Sequence, residues 1–357
     1  MSQSESMNSV SVDDLDMKII QCLSIYHRAP AALLSQVLGA SEQTVGRRYR
    51  RLVAEGVLRI SGLAAGEDSA HSSWTVRLRC NAQSADQICA TLARRADVSW
   101  VSIAAGGSEI ICNIDCRTML DRESLLLNRL PKARAVDRVY AHEWLHGFTK
   151  TKGADWQAYG NYLTDEQLRE LSADLPSRPQ RPATAEILPE DLPMLNLLAR
   201  DGRTSVARLA QAARISHGRA SRRLNALTEN GAVVFDIDLA YELLGFRSLA
   251  YLWLTVHPEY LAAGGQLLAD QPEVPFAVAV TGTANLLASV VCRTAEDLYA
   301  FITTKVRLLE GLTMVETSPV IRTVKQAGAL RNGLRLAVAP AAASESASGY
   351  PKPIGAI

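Results

Sequence analysis

One arginine-rich segment occurs twice in this chain, and the two copies are 175 residues apart. Residues 41–58 read SEQTVGRRYRRLVAEGVL, and residues 216–233 read SHGRASRRLNALTENGAV. The same shift aligns, without a gap, Asp16 with Asp191, Arg28 with Arg203, Leu34 with Leu209 and Gly56 with Gly231. A match that keeps one register over this length indicates a duplicated structural unit, which constrains the fold more than composition does.

The duplication continues well beyond this segment. At a shift of 176, residues 98–118 match residues 274–294, including the glycines Gly106 and Gly282 and the closing Cys-Arg-Thr. Each unit therefore spans roughly 140 residues.

A proline-containing linker, residues 149–186, joins the two units. Within it, Thr164 and Gln167 have the spacing of a capping box, which predicts one short helix. Residues 337–357 are predicted to form a flexible tail.

The first part of each unit, residues 12–62 and 187–237, has the pattern of three helices followed by a strand. Apolar residues at i, i+4 and i+7 mark the core face of the third helix, namely Val45, Tyr49 and Leu52 in one copy and Ala220, Leu224 and Leu227 in the other. Ser41 is its predicted N-cap. Pro193 predicts that the first helix of the second copy begins late. This order of elements predicts a winged helix-turn-helix.

The second part of each unit, residues 72–148 and 245–328, changes to a period of two, as in the alternation of Val76, Leu78 and Cys80 with arginines. Helices are predicted near residues 85–95 and 118–130. The order strand, helix, strand, strand, helix, strand is the ferredoxin-like plan (βαββαβ). The predicted class is therefore α+β, with two winged helix-turn-helix domains and two ferredoxin-like domains in a tandem repeat.

The amino-acid composition excludes only a few classes of function. The net charge of +1 argues neither for nor against a nucleic-acid partner, so local clustering must decide. The chain has no apolar run of about 18 residues, and its polar, acidic start lacks the features of a secretory signal, so we predict a cytoplasmic protein without a membrane partner. Its six cysteines form no C-x-x-C pair and are expected to be buried and reduced.

The outward face of each third helix carries the clustered charge. Arginines on the second helix of a helix-turn-helix bind guanine edges or phosphates, which predicts double-stranded DNA as the partner. The predicted DNA-binding residues are Gln43, Thr44, Arg47, Arg48, Arg50 and Arg51 in the first copy and His217, Arg219, Arg222 and Arg223 in the second. Two alternatives stay open: a solvated basic face, and a regulator that has lost DNA binding and acts through protein contacts.

These segments, including DDLDMKIIQCL and VAVTGTANLLASVVC, resemble the Lrp/AsnC family of transcription regulators. The resemblance implies winged helix-turn-helix domains joined to ferredoxin-like regulatory domains that pair with one another and bind amino acids or other small effectors. It covers residues 12–148 and 188–328. The effector loops it implies comprise Thr281, Gly282, Thr283 and Asn285 in the second copy and Gly106, Gly107, Ser108 and Glu109 in the first. Both loops lack the aromatic and aspartate of the family pattern.

Family members carry one unit per chain, so this chain resembles a covalent pair. We expect its two regulatory domains to form an intramolecular pseudo-dimer, because a linker makes their effective concentration about millimolar, and we expect further homo-oligomerisation. The two recognition faces differ, which predicts an asymmetric DNA element rather than a palindrome.

Two enzymatic interpretations fit the sequence less well than DNA binding does. The run from His142 to His146 spells H-E-x-x-H, a zinc signature only when it lies on a helix; here the repeat places it in or beside the last strand, so no metal is predicted. The chain also resembles siroheme decarboxylases, but without their arginine-rich strand after the helix-turn-helix. We therefore expect a protein that is not an enzyme and has no cofactor.

Overall fold

The computed structural model describes residues 10–64, 72–95, 97–116, 123, 135–149, 160–173, 175, 187–327 and 329–337. The first winged helix comprises α1 (Asp14–Ile25), α2 (Ala31–Leu38), α3 (Glu42–Ala54) and β1 (Leu58–Ala64). Ser41 caps α3, since its hydroxyl accepts the amide hydrogen of Thr44. Gly39 ends α2 at φ 63°, a left-handed conformation that suits glycine. Val45 and Leu52 are buried, which confirms the predicted core face.

The linker contains α5 (Asp165–Ala173), and the second winged helix repeats the plan with α6 (Leu192–Arg200), α7 (Val206–Ala213), α8 (His217–Glu229) and β6 (Val233–Leu239). A 3-10 turn, Pro189–Asp191, takes the place of the first turn of α1. The α-helix begins only at Leu192, with Pro193 in its first turn, where the missing amide hydrogen costs no helical bond. The predicted late start of this helix is confirmed.

Both regulatory domains are ferredoxin-like, as predicted. The first contains β2 (Ser72–Cys80), α4 (Ala85–Ala93), β3 (Val98–Ala104), β4 (Glu109–Cys116) and β5 (Val136–Gly147). The second contains β7 (Ser248–Val256), α9 (Leu261–Ala269), β8 (Phe276–Val280), β9 (Leu286–Cys292), α10 (Ala295–Thr304) and β10 (Leu312–Gln326). The helix predicted at residues 118–130 lies outside the described residues, apart from Glu123.

The two regulatory sheets join into one closed ring of antiparallel strands. Within each domain the sheet order is last, first, third, second strand. β5 pairs with β2 of its own domain up to Glu143 and then with β8 of the other domain from Trp144 to Gly147. β10 likewise pairs with β7 up to Pro319 and with β3 from Val320 to Lys325. Each last strand is therefore shared, and the expected intramolecular pairing of the regulatory domains is present.

Apolar side chains fill both sides of this ring. Trp253, Tyr251, Ile111 and Leu287 are buried inside it, between the two sheets. The helices cover the outside over two separate cores, one for each domain. All six cysteines are buried and none forms a disulfide, and burial raises the pKa of Cys89 and Cys292 to about 12. Among the described helices, none is long and apolar enough to cross a bilayer.

The two winged helices are also joined to each other. β1 and β6 form a two-stranded antiparallel ribbon in which Arg59 lies opposite Asp238. These two side chains form an ion pair of 2.6 Å, and Asp238 is only 4% exposed. Burial nevertheless raises the pKa of Asp238 above its ordinary value, because the desolvation of its carboxylate outweighs the attraction of Arg59.

Two arginines at equivalent positions of the repeat bridge the loops of opposite winged helices. Arg203 donates to the carbonyl oxygens of His27 (2.9 Å) and Ala29 (2.8 Å). In return, Arg28 donates to the carbonyls of Gly202 and Thr204. Each guanidinium thus satisfies two carbonyls of the other copy's loop, which fixes the two domains face to face.

The linker helix, α5 (Asp165–Ala173), packs on the first winged helix. Its capping box is formed as predicted, with Thr164 and Gln167 each accepting the other's amide hydrogen. The side-chain amide of Gln167 also donates to the carbonyl of Val37 at 2.8 Å. Leu171 is fully buried against α1 and α2. In the second copy, the smaller Ala212 takes the position of Val37.

A C-terminal hairpin, β11 (Ala329–Asn332) and β12 (Arg335–Leu336), was not predicted from the sequence. The amide of Leu336 donates to the carbonyl of Gly56 at the end of α3, which attaches unit two to the first winged helix. An added Cβ at Gly56 would lie 2.4 Å from the Leu336 carbonyl oxygen, so that only glycine fits there. The predicted tail, residues 337–357, lies outside the described residues beyond Ala337.

We expect Arg203→Gln to lower the free energy of unfolding by about 1–3 kcal/mol, because two carbonyls of the partner loop lose a charged donor. Arg200→Gln, on an exposed residue three positions earlier, is the matched control and should change it by less than about 0.5 kcal/mol. Denaturant titration measures both. Equal stability of the two variants would contradict a structural role for the reciprocal arginines.

Candidate nucleic-acid interface and effector loops

The two recognition helices, α3 and α8, present exposed polar faces. Gln43, Arg47 and Arg50 are exposed on α3, and His217 and Arg222 are exposed on α8. Thr44 is half-buried beside the capping hydroxyl of Ser41. The N-cap of α8 repeats that of α3, because Ser216 accepts the amide hydrogen of Arg219. Both helices therefore begin with the same geometry, and their first turns carry the side chains that point away from the core.

Both copies contain two consecutive arginines, Arg47–Arg48 and Arg222–Arg223, and the two members of each pair have different surroundings. Arg47 and Arg222 form no ion pair among the described residues. Arg48 instead pairs with Asp13 and Asp16, and Arg223 pairs with Asp191 through two bonds of 2.7 and 2.5 Å. Arg48 and Arg223, both predicted to contact DNA, are thus engaged in ion pairs inside their own domains.

Two further predicted residues are held by acidic side chains. Arg51 contacts Asp16 and Glu55 and donates to the carbonyl of Ser11 at 3.0 Å. Arg219 pairs with Glu190 at 2.8 Å, but its side chain remains 57% exposed and can exchange this partner for another anion. An open concavity lies beside it, lined by Glu190, Asp191, Ile215, Arg219, Arg222, Arg223 and Ala226.

Each recognition helix contains a glycine that its own fold does not require. An added Cβ at Gly46 would meet nothing within 4 Å, and at Gly218 only the end of Arg222. Glycine inside a helix costs about 1 kcal/mol relative to alanine. Nothing within the described protein offsets this cost, and both positions lie on the solvent side of their helices.

The candidate effector loop of the second domain is in contact with the first domain. Thr281 exchanges two hydrogen bonds with the backbone of Glu143, one through its amide and one through its hydroxyl, each 2.9 Å. Its carbonyl oxygen lies 2.7 Å from Nδ1 of His142. Gly282, at φ 112°, lies against the same histidine, where a Cβ would be 2.8 Å from Nδ1.

Asn285 and Glu109 occupy equivalent positions of the two domains but do different things. Asn285 makes two hydrogen bonds to the backbone of Val256 and so closes its own loop. Glu109 lies inside the ring at 2% exposure, where it accepts from Arg77 at 2.8 Å and from the Ser318 hydroxyl at 2.9 Å. Thr283 accepts from Thr255 through its carbonyl.

The loop of the first domain, Ala105–Gly107, forms a tight 3-10 turn. Gly106 and Gly107 have positive φ values of 71° and 89°, which glycine adopts without strain. Ser108 closes the turn by donating to the carbonyl of Ala105 at 2.7 Å. Of the predicted effector residues, Thr281, Gly282 and Glu109 contact the opposite domain, whereas Thr283, Asn285 and Ser108 form hydrogen bonds within their own domain.

The H-E-x-x-H segment lies within β5, as predicted. His142 packs against Trp253, with ring centroids 5.1 Å apart, whereas His146 packs against Phe148 at 4.9 Å. The two imidazoles therefore contact different residues of the interface. Among the described residues no group of histidines, cysteines and carboxylates has the arrangement of a metal site.

Fold and geometry together define a tandem helix-turn-helix protein with paired regulatory domains. Family models agree over three segments: an AsnC-type helix-turn-helix domain at residues 12–53, a winged helix-turn-helix DNA-binding domain at 191–234 and an Lrp/AsnC ligand binding domain at 249–330. This chain belongs to the Lrp/AsnC family of helix-turn-helix regulators, as a tandem-duplicated member.

Curated relatives correspond to one unit of the repeat. An uncharacterized HTH-type transcriptional regulator of Pyrococcus abyssi is 27% identical over 142 residues, which are 40% of this chain and 89% of that protein. The regulator LrpA of Pyrococcus horikoshii is 25% identical over 37% of this chain and 94% of its own length. Over the whole length, the solved siroheme decarboxylase NirDL is similar, with TM-score 0.52 and 17% identity, covering 88% of this chain and 93% of that one. This last likeness shows a shared two-unit fold.

We expect Arg223→Ala to lower the free energy of unfolding by about 3 kcal/mol, because Asp191 stays buried with its charge uncompensated. Arg222→Ala, one residue earlier on the exposed face, should change it by less than about 0.5 kcal/mol. Thermal or denaturant unfolding distinguishes the two variants. If both cost the same, the division between a structural and an outward arginine is wrong.

Burial lowers the pKa of His142, so the folded protein favours its neutral ring. The contribution of neutral His142 to the free energy of unfolding is therefore fully present above the pKa of histidine in the unfolded chain, about 6.5. It is lost as the pH falls from there toward the lower pKa of the folded state. We expect the melting temperature of His142→Asn, which keeps a donor for the Thr281 carbonyl, to fall less than that of the wild type between about pH 7.5 and pH 5. Parallel pH profiles would exclude this contribution.

Proposed function

We propose that this protein is a sequence-specific transcription regulator that binds duplex DNA through α3 and α8 of one chain. The observation that carries the proposal is the pair Arg47 and Arg222. They occupy equivalent positions, project from equally capped recognition helices, and have no acidic partner among the described residues. Arginine in this position forks onto guanine O6 and N7 in the major groove.

The glycines of the recognition helices support the same surface. A helix that approaches the DNA backbone closely needs small residues on that side, and Gly46 lies there with no contact from its own protein. Arg50, exposed one turn further along α3, is placed for a phosphate contact. Neutralised phosphates release counterions, so affinity through this face depends on salt.

A regulator with two different recognition helices selects an asymmetric element. Gln43 of α3 corresponds to Gly218 of α8, Glu42 to His217 and Arg50 to Asn225. The reciprocal contacts of Arg28 and Arg203 hold these unlike faces at one separation. Two unlike half-sites would therefore lie about one helical turn, or a small multiple of it, apart.

Effector control would pass through the loops at Thr281 and Ala105. A small ligand of the amino-acid class that binds beside Thr281 competes with its bonds to Glu143, and so changes the contact between the two domains. Binding of this kind is coupled to the winged helices only if it favours one arrangement of the domains over another.

An enzymatic function is the second candidate, because NirDL has a similar fold over most of both chains. At 17% identity that likeness carries no catalytic residues to this chain. We propose that the chain is not a siroheme decarboxylase. A visible absorption band that shifts and saturates when siroheme is added would overturn this.

We expect Arg47→Ala and Arg222→Ala each to weaken binding to a selected DNA site by about 1–3 kcal/mol and to relax base preference at one position of one half-site. Arg50→Ala should weaken all sequences alike and reduce the salt slope by about one. Arg200→Ala is the matched control. Unchanged affinity and preference in both Arg47→Ala and Arg222→Ala would reject the interface.

Sequences selected by the wild type from a random pool are expected to be asymmetric within the footprint of one chain. Replacing residues 41–52 by residues 216–227 gives both domains the second recognition helix, and the selected consensus should then become palindromic. A palindromic wild-type consensus would contradict two independent recognition helices. The circular dichroism of the exchanged chain should match that of the wild type, because core positions are apolar in both copies.

Gly46→Ala separates folding from binding. We expect it to raise the free energy of unfolding by about 1 kcal/mol, because alanine favours the helix and meets no atom within 4 Å. DNA affinity should fall in the same variant, since the added methyl lies on the proposed DNA side. A variant that is more stable and binds equally well would show that DNA does not approach this residue.

A further inference from the structure

We propose that the two regulatory domains are matched to each other and reject pairing of like with like. The proposal is independent of DNA binding. A shift of 176 residues relates the two domains, so every contact between them has a counterpart on the opposite side of the ring. Homotypic pairing, the association of two copies of the same domain, would bring each residue against its own equivalent. Three such contacts distinguish the mixed pair from the homotypic ones.

The first contact joins Arg77 and Trp253, which are equivalent residues of β2 and β7. The Arg77 guanidinium carbon lies 4.3 Å from the ring centroid of Trp253, and both side chains are buried inside the ring. Glu316 of the second domain binds the same guanidinium at 2.6 and 3.1 Å. Residues at equivalent positions of the two domains can contact each other only near the pseudo-twofold axis that relates the domains.

Homotypic pairing would destroy this contact. Two first domains would bury Arg77 against Arg77, each with only Glu109 of its own domain as counterion, because Tyr140 occupies the position of Glu316. Like charges at such a distance repel strongly when water is excluded. Two second domains would place Trp253 against Trp253 and lose the attraction between cation and ring.

The second contact depends on size. Phe148, just after β5, enters the core of the second domain beside α9. An added Cβ at Gly265 would lie 2.2–2.5 Å from three carbons of this ring, so the ring requires a glycine. On the opposite side the equivalent residues are Val324 and Cys89, a smaller side chain against a larger one, in the core of the first domain. The pairs Phe148 with Gly265 and Val324 with Cys89 are therefore complementary in volume.

Exchange of partners would break both pairs. Two first domains would press Phe148 against the side chain of Cys89, which overpacks a close-packed core. Two second domains would place Val324 against Gly265 and leave a cavity.

The third contact is a hydrogen bond. The Thr281 hydroxyl accepts the backbone N–H of Glu143 at 2.9 Å. At the equivalent contact both groups are absent, since Pro319 has no N–H and Ala105 has no hydroxyl. Two second domains would leave the hydroxyl of Thr281 against a proline, and two first domains would leave the amide of Glu143 without that acceptor.

All three contacts favour a pair that consists of one first domain and one second domain. The partner of each regulatory domain is therefore the domain of the other kind, either from this chain or from a second chain. The duplication thus yields a regulator that keeps its two unlike halves together and does not exchange them.

The size contact provides a compensation test on the full chain. We expect Gly265→Cys to increase hydrogen exchange about tenfold or more at the amides that bridge the domains, Phe148 and Thr281, because the new side chain displaces the Phe148 ring. Amides of the ladder between β7 and β9, inside one domain, should change far less. The double variant Phe148→Val with Gly265→Cys reproduces the Val324 and Cys89 pair and should return exchange to within about threefold of the wild type.

The axis contact gives an independent test. Trp253→Arg places two arginines at the axis, as homotypic pairing of the first domain would, and should accelerate exchange at the bridging amides. Trp253→Phe keeps a ring over Arg77 and should change exchange little. The proposal is overturned if the double variant exchanges as fast as Gly265→Cys, or if Trp253→Arg and Trp253→Phe behave alike. Global unfolding of Gly265→Cys alone leaves the test intact, because the double variant must still recover.

Discussion

The closed ring of strands is the constraint on which the rest of the structure depends. A ferredoxin-like sheet ends in an edge strand with unpaired backbone groups, and such an edge must be covered or paired. Here β5 and β10 each continue past their own domain to pair with the second strand of the other. Every ring strand therefore has two neighbours, and neither regulatory sheet is complete without the opposite one.

A second, two-stranded sheet joins the winged helices to each other. β1 and β6 leave the winged helices as a paired ribbon, and the buried pair of Arg59 and Asp238 fixes its register. The reciprocal bonds of Arg28 and Arg203 then hold the two loops together. Since these contacts lie within one chain, the separation of α3 and α8 does not depend on protein concentration, unlike that of a dissociable dimer.

Residues at equivalent positions of the two copies do not always have the same role. Arg47 and Arg222 kept an exposed position, whereas Arg48 and Arg223 kept an ion pair with Asp16 and Asp191. Arg77 and Trp253 diverged in chemistry yet remain in contact with each other. After the duplication the sequences of the two halves could diverge, but only in ways that preserve the packing between them.

The sequence alone determined the duplication, the two kinds of domain and the core faces of the helices, because these depend on periodicity and on local signals such as Ser41 and Gly39. It also placed His142 and His146 on a strand. It did not distinguish Arg47 from Arg48, since which arginine meets an aspartate depends on how α1 packs on α3. It aligned Arg28 with Arg203 without showing that each binds the other copy's loop. Contacts between segments far apart in the chain, such as Phe148 on Gly265, were decided only by the closure of the tertiary structure.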